Sequence, residues 1–244
     1  EDPDLADHVF SYVPGSGSGL ADVPGELGRV DRVVERAAAM APDRAVAGIL
    51  WLDYDAPDLL TDAMRTSYAR DGGPALHRFQ EGLLASHVGP APHLTVVGHS
   101  YGSLVVGATA RDHGLAADDL VFLGSPGVGV GHASQLGLPA DRVWSTTAAN
   151  DPIQRLAPSP AQAARDAAIG TVLPGSVPWL LAQPDADLWH GRNPSDPSFG
   201  GRLFASDPSE PLHGHSDYWR YGNPALDGLA RIAAGLGSPA ANGG

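Results

Sequence analysis

The sequence predicts an α/β fold: a mostly parallel sheet of about six strands flanked by helices on both faces. Two observations lead there. Short apolar runs alternate with stretches of helical period along most of the chain. The runs are also continuously apolar, without polar alternation, as strands are when both faces of a sheet are buried. Length agrees, since 244 residues fall in the roughly 200–250 range of single α/β domains. One domain over residues 1–244 is therefore expected.

Each element follows from its residues. His8 to Val13 is an apolar strand, stopped by Pro14-Gly15-Ser16-Gly17-Ser18-Gly19, a loop rich in backbone N–H groups. Val30, Val33, Val34 and Ala37 recur at helical spacing. Ala45 to Trp51 is the second strand, ending at Leu52-Asp53-Tyr54-Asp55. Leu76, Phe79, Leu83 and Leu84 mark a second helix, and Leu94 to Val97 a third strand. Leu104 to Ala110 reads as helix, Leu120 to Leu123 as the fourth strand, and Arg142 to Thr147 as the fifth. A short strand is expected at Arg202 to Ala205 and a closing helix at Leu226 to Ala234. Between them, residues 156–197 are proline-rich and lack a sheet period. They read as a lid-like excursion over the sheet, and residues 237–244 as a flexible tail.

Composition removes several chemistries. The net charge of −13 argues against nucleic acid, because phosphate binding needs clustered Lys and Arg. It argues equally against an anionic membrane surface. No run reaches the ~18 apolar residues of a spanning helix, so stable membrane insertion is not expected. There is no Cys, which removes disulfides, thiolate metal sites and cysteine nucleophiles. There is no Lys either, which removes a P-loop, a Schiff base and a Ser-Lys dyad.

Gly98-His99-Ser100-Tyr101-Gly102 matches G-x-S-x-G. Its setting gives the pattern weight: Thr95-Val96-Val97 reads as strand just before it, and Ser103-Leu104-Val105-Val106 as helix just after. A serine on such a turn has strained backbone angles and sits exposed at the C-terminal edge of the sheet. The glycines let strand and helix backbones pass closely. The helix N-terminus adds partial positive charge where an oxyanion forms.

This stretch resembles the nucleophile elbow of the α/β-hydrolase superfamily. Together with Leu123-Gly124-Ser125-Pro126-Gly127-Val128-Gly129-Val130 and His215-Ser216-Asp217-Tyr218-Trp219, it is most similar to an actinobacterial group of these hydrolases, formerly catalogued as a domain of unknown function. The resemblance implies the fold and a Ser-His-Asp triad, in the chain order serine, acid, histidine. It does not imply a substrate.

Ser100 is then the nucleophile. The acid should follow a late strand, and Asp151 does, in the turn Ala148-Ala149-Asn150-Asp151-Pro152. A plain Asx turn before Pro152 is the alternative. His215 lies between the last strand and the final helix, with His213 a rival two residues away and His190 a more distant one. The resemblance assigns the base to His215. One oxyanion N–H should come from Tyr101 and the second from the first loop, at Ser16 or Gly15. Family members often carry His-Gly there, whereas this chain has Pro14-Gly15-Ser16. His99 is read as structural, packed beneath the nucleophile.

Two other readings are weaker. A dinucleotide fingerprint would need glycine where Leu20 stands, and Asp53 comes far later than the ~20 residues that motif requires. His213-Gly214-His215-Ser216-Asp217 spells H-x-H-x-D, a zinc pattern that His190 or Asp196 could complete. The parallel α/β pattern does not suit the metallo-hydrolase fold in which that run occurs. No metal and no cofactor is expected. Asp53 and Asp55 are read mainly as loop caps.

The expected activity is hydrolysis of a carboxylic ester, esterase- or lipase-like, through an acyl-enzyme. Its partner would be a small-molecule ester or acyl substrate. Trp179, Leu180 and Trp189, with Leu181, are the candidate substrate contacts in the lid-like stretch. Acyl transfer from the same triad, or a non-catalytic interaction module on the same fold, are the alternatives.

Overall fold

The computed structural model describes residues 1–57, 66–153, 190–208 and 214–237. Six strands form one sheet: β1 (His8–Val13), β2 (Val46–Leu50), β3 (His93–His99), β4 (Asp119–Leu123), β5 (Val143–Thr146) and β6 (Arg202–Leu203). Their order is β2-β1-β3-β4-β5-β6, and every pairing is parallel. The described α-helices are α1 (Val23–Met40), α2 (Ser67–Ser86), α3 (Tyr101–His113) and α4 (Pro224–Ala233).

Both faces of the sheet are covered. On one face α1 and α4 pack over Phe10, Tyr12, Val97, Val121 and Trp144. On the other, α2 and α3 pack over Val13, Val96, Leu120, Phe122 and Val143. These two sets alternate along the strands, as side chains of period 2 must. The helix readings hold in the same way. Val30, Val33 and Ala37 are buried on α1, and Leu226, Leu229 and Ile232 on α4. Each such apolar side chain adds about 1.5–3 kcal/mol when fully buried. Leu84 departs from its reading: it stays 40% exposed near the end of α2, whose buried side runs through Ala69, Leu76 and Gln80. α4 begins cleanly because Asn223 Oδ1 accepts the Ala225 N–H at 3.0 Å and Pro224 needs no partner.

Strand order positions the site. From β1 the chain moves to β2 on one side, then returns to place β3 on the other. The direction of winding reverses between β1 and β3, and in open α/β sheets ligands bind at the carboxyl ends of the strands at such a switch point. The Pro14 loop leaves β1 there and Ser100 follows β3 there. At the opposite end of the sheet, buried Asp119 accepts the Trp144 Nε1–H and the His93 Nε2–H, both at 2.7 Å. Those bonds tie β3, β4 and β5 together away from the site.

Candidate active site

Ser100 is the only described non-glycine residue with a positive φ, at φ 53° and ψ −126°. That strain is held by the turn around it. Ser100 N–H donates to Leu123 O on β4 at 3.0 Å, and Ser103 N–H donates to Ser100 O at 3.0 Å. Both flanking glycines are required, for different reasons. A Cβ on Gly98 would lie 2.6 Å from Ser103 Cα, so Gly98 admits the first turn of α3 against β3. A Cβ on Gly102 would lie 2.2 Å from Val13 O and 2.5 Å from Pro14 O, so Gly102 admits the end of β1. Only the first is the strand–helix approach that the motif predicts.

Ser100 is not exposed as the motif predicts but 9% accessible. The β1 loop presses on it, since a Cβ on Gly15 would fall 2.6 Å from Ser100 Cβ and 3.2 Å from its Oγ. Tyr54, after β2, anchors that loop by donating its hydroxyl to Pro14 O at 2.7 Å, and its ring stacks on Trp51.

Residues far apart in sequence meet at Ser100. Its Oγ lies 2.8 Å from His215 Nε2, and His215 Nδ1 lies 2.9 Å from both Asp151 oxygens. A carboxylate only accepts, so Nδ1 carries the proton and Nε2 is the acceptor for the serine hydroxyl. The Asp151 side chain has no exposed surface, while His215 keeps 28%. Asp151 is also the acceptor for the Ile153 N–H at 2.9 Å and the Tyr218 hydroxyl at 2.5 Å. Gly124, at φ 52°, makes room for that pair: a Cβ there would sit 2.8 Å from Asp151 Oδ2.

His99 lies under the loop that carries His215. Its Nε2–H donates to His215 O at 2.9 Å, and its ring packs on His215 and Trp219. Its Nδ1 is buried with no hydrogen-bond partner among the described residues. Burial, aided by the neighbouring His215 and Arg29, holds its pKa well below the ordinary 6.5, so His99 is neutral. Arg29 lies 4.5 Å from the centroid of Trp219 and forms a salt bridge with buried Glu26, which also accepts the Tyr12 hydroxyl.

Sequence reasoning singled out Ser100, Asp151 and His215, and the structure places His215 in hydrogen-bond reach of both Ser100 and Asp151. It places Tyr101 at the first turn of α3, with Ser16 in the loop beside Ser100. Trp179, Leu180, Leu181, Trp189 and His213 lie outside the described residues. Asp53 and Asp55 are exposed. Asp196 caps a short turn by accepting Ser198 N–H at 2.8 Å. Among the described residues no group of three or more His, Asp or Glu side chains is arranged to hold a metal ion, and no helix is long and apolar enough to cross a membrane. The contacts of Tyr54 and Tyr218 were not read from the sequence. The clue for Tyr218 was its place three residues after His215, inside the motif that carried the resemblance.

The uncharacterized protein Rv2079 of Mycobacterium tuberculosis is 34% identical over 252 residues, covering 99% of this chain but 37% of its own length. The chain thus spans little more than a third of that relative. The uncharacterized protein Mb0988c of Mycobacterium bovis is 36% identical over 164 residues, 64% of this chain and 61% of its own. Among solved structures, an acetyl xylan esterase aligns with a TM-score of 0.45 at 13% identity, over 95% of this chain and 99% of its own. The family model described as alpha/beta hydrolase matches residues 1–161. That match runs from the first residue through β5 and the Asp151 turn, and the chain belongs to the α/β-hydrolase family.

Proposed function

We propose that this protein is a serine hydrolase that cleaves carboxylic esters through an acyl-enzyme on Ser100. The observation that carries the reading is the hydrogen-bonded line from Ser100 Oγ through His215 to Asp151, at 2.8 and 2.9 Å. A serine hydroxyl is a poor nucleophile until a base takes its proton. In this reading His215 Nε2 takes that proton as Oγ attacks the ester carbonyl carbon. Charge develops on the carbonyl oxygen, which the backbone N–H groups of Tyr101 and Ser16 stabilise. The tetrahedral species collapses, the C–O bond to the alcohol breaks, and His215 returns the proton to the departing alkoxide. Water then attacks the acyl-enzyme with His215 again as base, which frees the acid and restores Ser100. Asp151 keeps the Nδ1–H tautomer throughout. Trp179, Leu180 and Trp189 are the candidate contacts for an apolar acyl group.

Intact mass after incubation with a fluorophosphonate tests the reading, with Ser100→Ala as control. One adduct is expected in the unsubstituted protein and none in the variant, which should also lose turnover of an activated ester while keeping its fold. An adduct that persists in Ser100→Ala would remove Ser100 from the mechanism. No adduct on the folded protein would favour a non-catalytic interaction module.

A further inference from the structure

Tyr218 has a hydroxyl with two buried neighbours and one proton to give. The Ala148 N–H donates to it at 3.1 Å, so its own proton is directed to Asp151 Oδ2, 2.5 Å away. The phenol is held neutral, because burial and the adjacent Asp151 charge push its ionisation far above the ordinary range. Its ring is fixed edge-on against Trp219 and His99, with centroids 6.0 and 6.1 Å apart. Gly124 leaves space for the contact from a third direction, since a Cβ there would also lie 3.0 Å from the Tyr218 hydroxyl. Asp151 has no exposed side-chain surface, so no bulk solvent shares its charge. Its negative charge is divided among the His215 Nδ1–H, the Ile153 N–H and the Tyr218 O–H.

We propose that Tyr218 is a positioning residue for the Asp151–His215 pair: its hydroxyl orients the carboxylate and sets how much negative charge that carboxylate presents to the imidazole. The proposal rests on the serine-hydrolase reading only for its effect on turnover. The physical claim concerns the pair itself. Charge drawn toward the phenol proton is charge withheld from an imidazolium at His215. Removing the hydroxyl therefore has two effects. The carboxylate loses its lateral fix and turnover falls. The carboxylate also becomes a better partner for protonated His215, so the ring titrates at higher pH. Among the described residues, the other charged or polar groups near His215 are Ser100, His99 from β3, Arg29 from α1 beyond His99 and Trp219, and Asp217 on its own loop, which bonds Arg220. None of them is altered by Tyr218→Phe.

The test is an NMR titration of the His215 ring in the unsubstituted protein, in Tyr218→Phe, and in protein carrying 3-fluorotyrosine at position 218. The labelling rate at Ser100 is followed in parallel. The Phe variant should raise the His215 midpoint by roughly one unit and slow labelling near neutral pH about tenfold or more. The fluorinated phenol is a stronger donor, keeps the shape, and should move the midpoint the other way. It decides the matter alone if Tyr218→Phe fails to fold. A hydroxyl that only anchors the Ala148 turn would lower Tm in the Phe variant and leave the midpoint where it was. An unmoved midpoint in every variant that folds overturns the proposal. If Ser100 takes no label in the unsubstituted protein while the midpoints move as stated, the ester-hydrolase reading fails and the role of Tyr218 stands.

Discussion

Asp151 shows how a single side chain is read at two levels. Its place after an apolar run and before Pro152 was visible in the sequence, as was the competing reading of an Asx turn. The structure has both features at once: Asp151 Oδ1 accepts the Ile153 N–H two residues on, as an Asx turn does, and both oxygens face His215 Nδ1. An Asn at this position would keep the turn and point its amide N–H toward Nδ1, which moves the ring proton to Nε2. The wrong tautomer would then face Ser100. In the proposed mechanism Asp151→Asn should lower kcat by about 10⁴ with the fold retained, read as steady-state turnover of an activated ester beside a circular-dichroism melt. A loss below about tenfold would move the acid elsewhere. The Tyr218 contact was not legible in the same way. Three residues from His215 in the chain, it meets Asp151 only because the turn after β5 and the loop before α4 come together.

At the scale of elements, the sharp turn from β3 into α3 carries most of the local constraint. Strand, serine and helix were readable from the apolar run before Gly98 and the helical run after Gly102, because a turn of this kind is coded within about ten residues. The job of Gly102 was not, since its crowding partner is the end of β1, almost ninety residues earlier. Gly102→Ala should destabilise the protein by about 2–4 kcal/mol, because backbone oxygens at 2.2 and 2.5 Å cannot yield without displacing the Pro14 loop. Gly82→Ala on α2 is the matched control: nothing lies within 4 Å of its added Cβ, and removal of a helical glycine there should stabilise by about 0.4–1 kcal/mol. Urea unfolding of the two variants gives the comparison. Equal and small effects would mean that the β1 loop does not press on the elbow as described.

For the molecule as a whole, two histidines with lowered pKa, buried His99 and half-buried His8, link folding to pH. The His99 pKa is lowered well below 6.5, first by burial and then by His215 and Arg29; that of His8 is lowered as well, first by burial and then by His93 and Arg44. A depressed histidine pKa means that below pH ~6.5 the unfolded chain takes up a proton that the native state refuses. Stability from this source is complete above about pH 6.5 and declines as pH falls toward the folded-state value, by about 1.4 kcal/mol per unit for a fully neutral buried His99. Urea midpoints at pH 7.5 and 5.5 should therefore differ, with the acidic sample less stable, and His99→Gln should reduce that difference. An equal difference in the variant would assign the effect to other groups.

The strands and helices of the described residues, a sheet buried on both faces, the elbow and the chemistries removed by a chain without Cys or Lys were determined by sequence alone, while the lid-like stretch 156–197 and the tail 237–244 lie mostly outside the described residues. These features are local or compositional: a period of 2 or 3.6, a turn of five residues, an absent side chain. Tertiary structure alone decided the order β2-β1-β3-β4-β5-β6 with its reversal between β1 and β3, the burial of Ser100, the neutrality of His99 and the three donors that share the charge of Asp151. Each depends on residues brought together from distant parts of the chain, and hydrogen bonds and desolvation act over a few ångströms of space regardless of separation along the backbone.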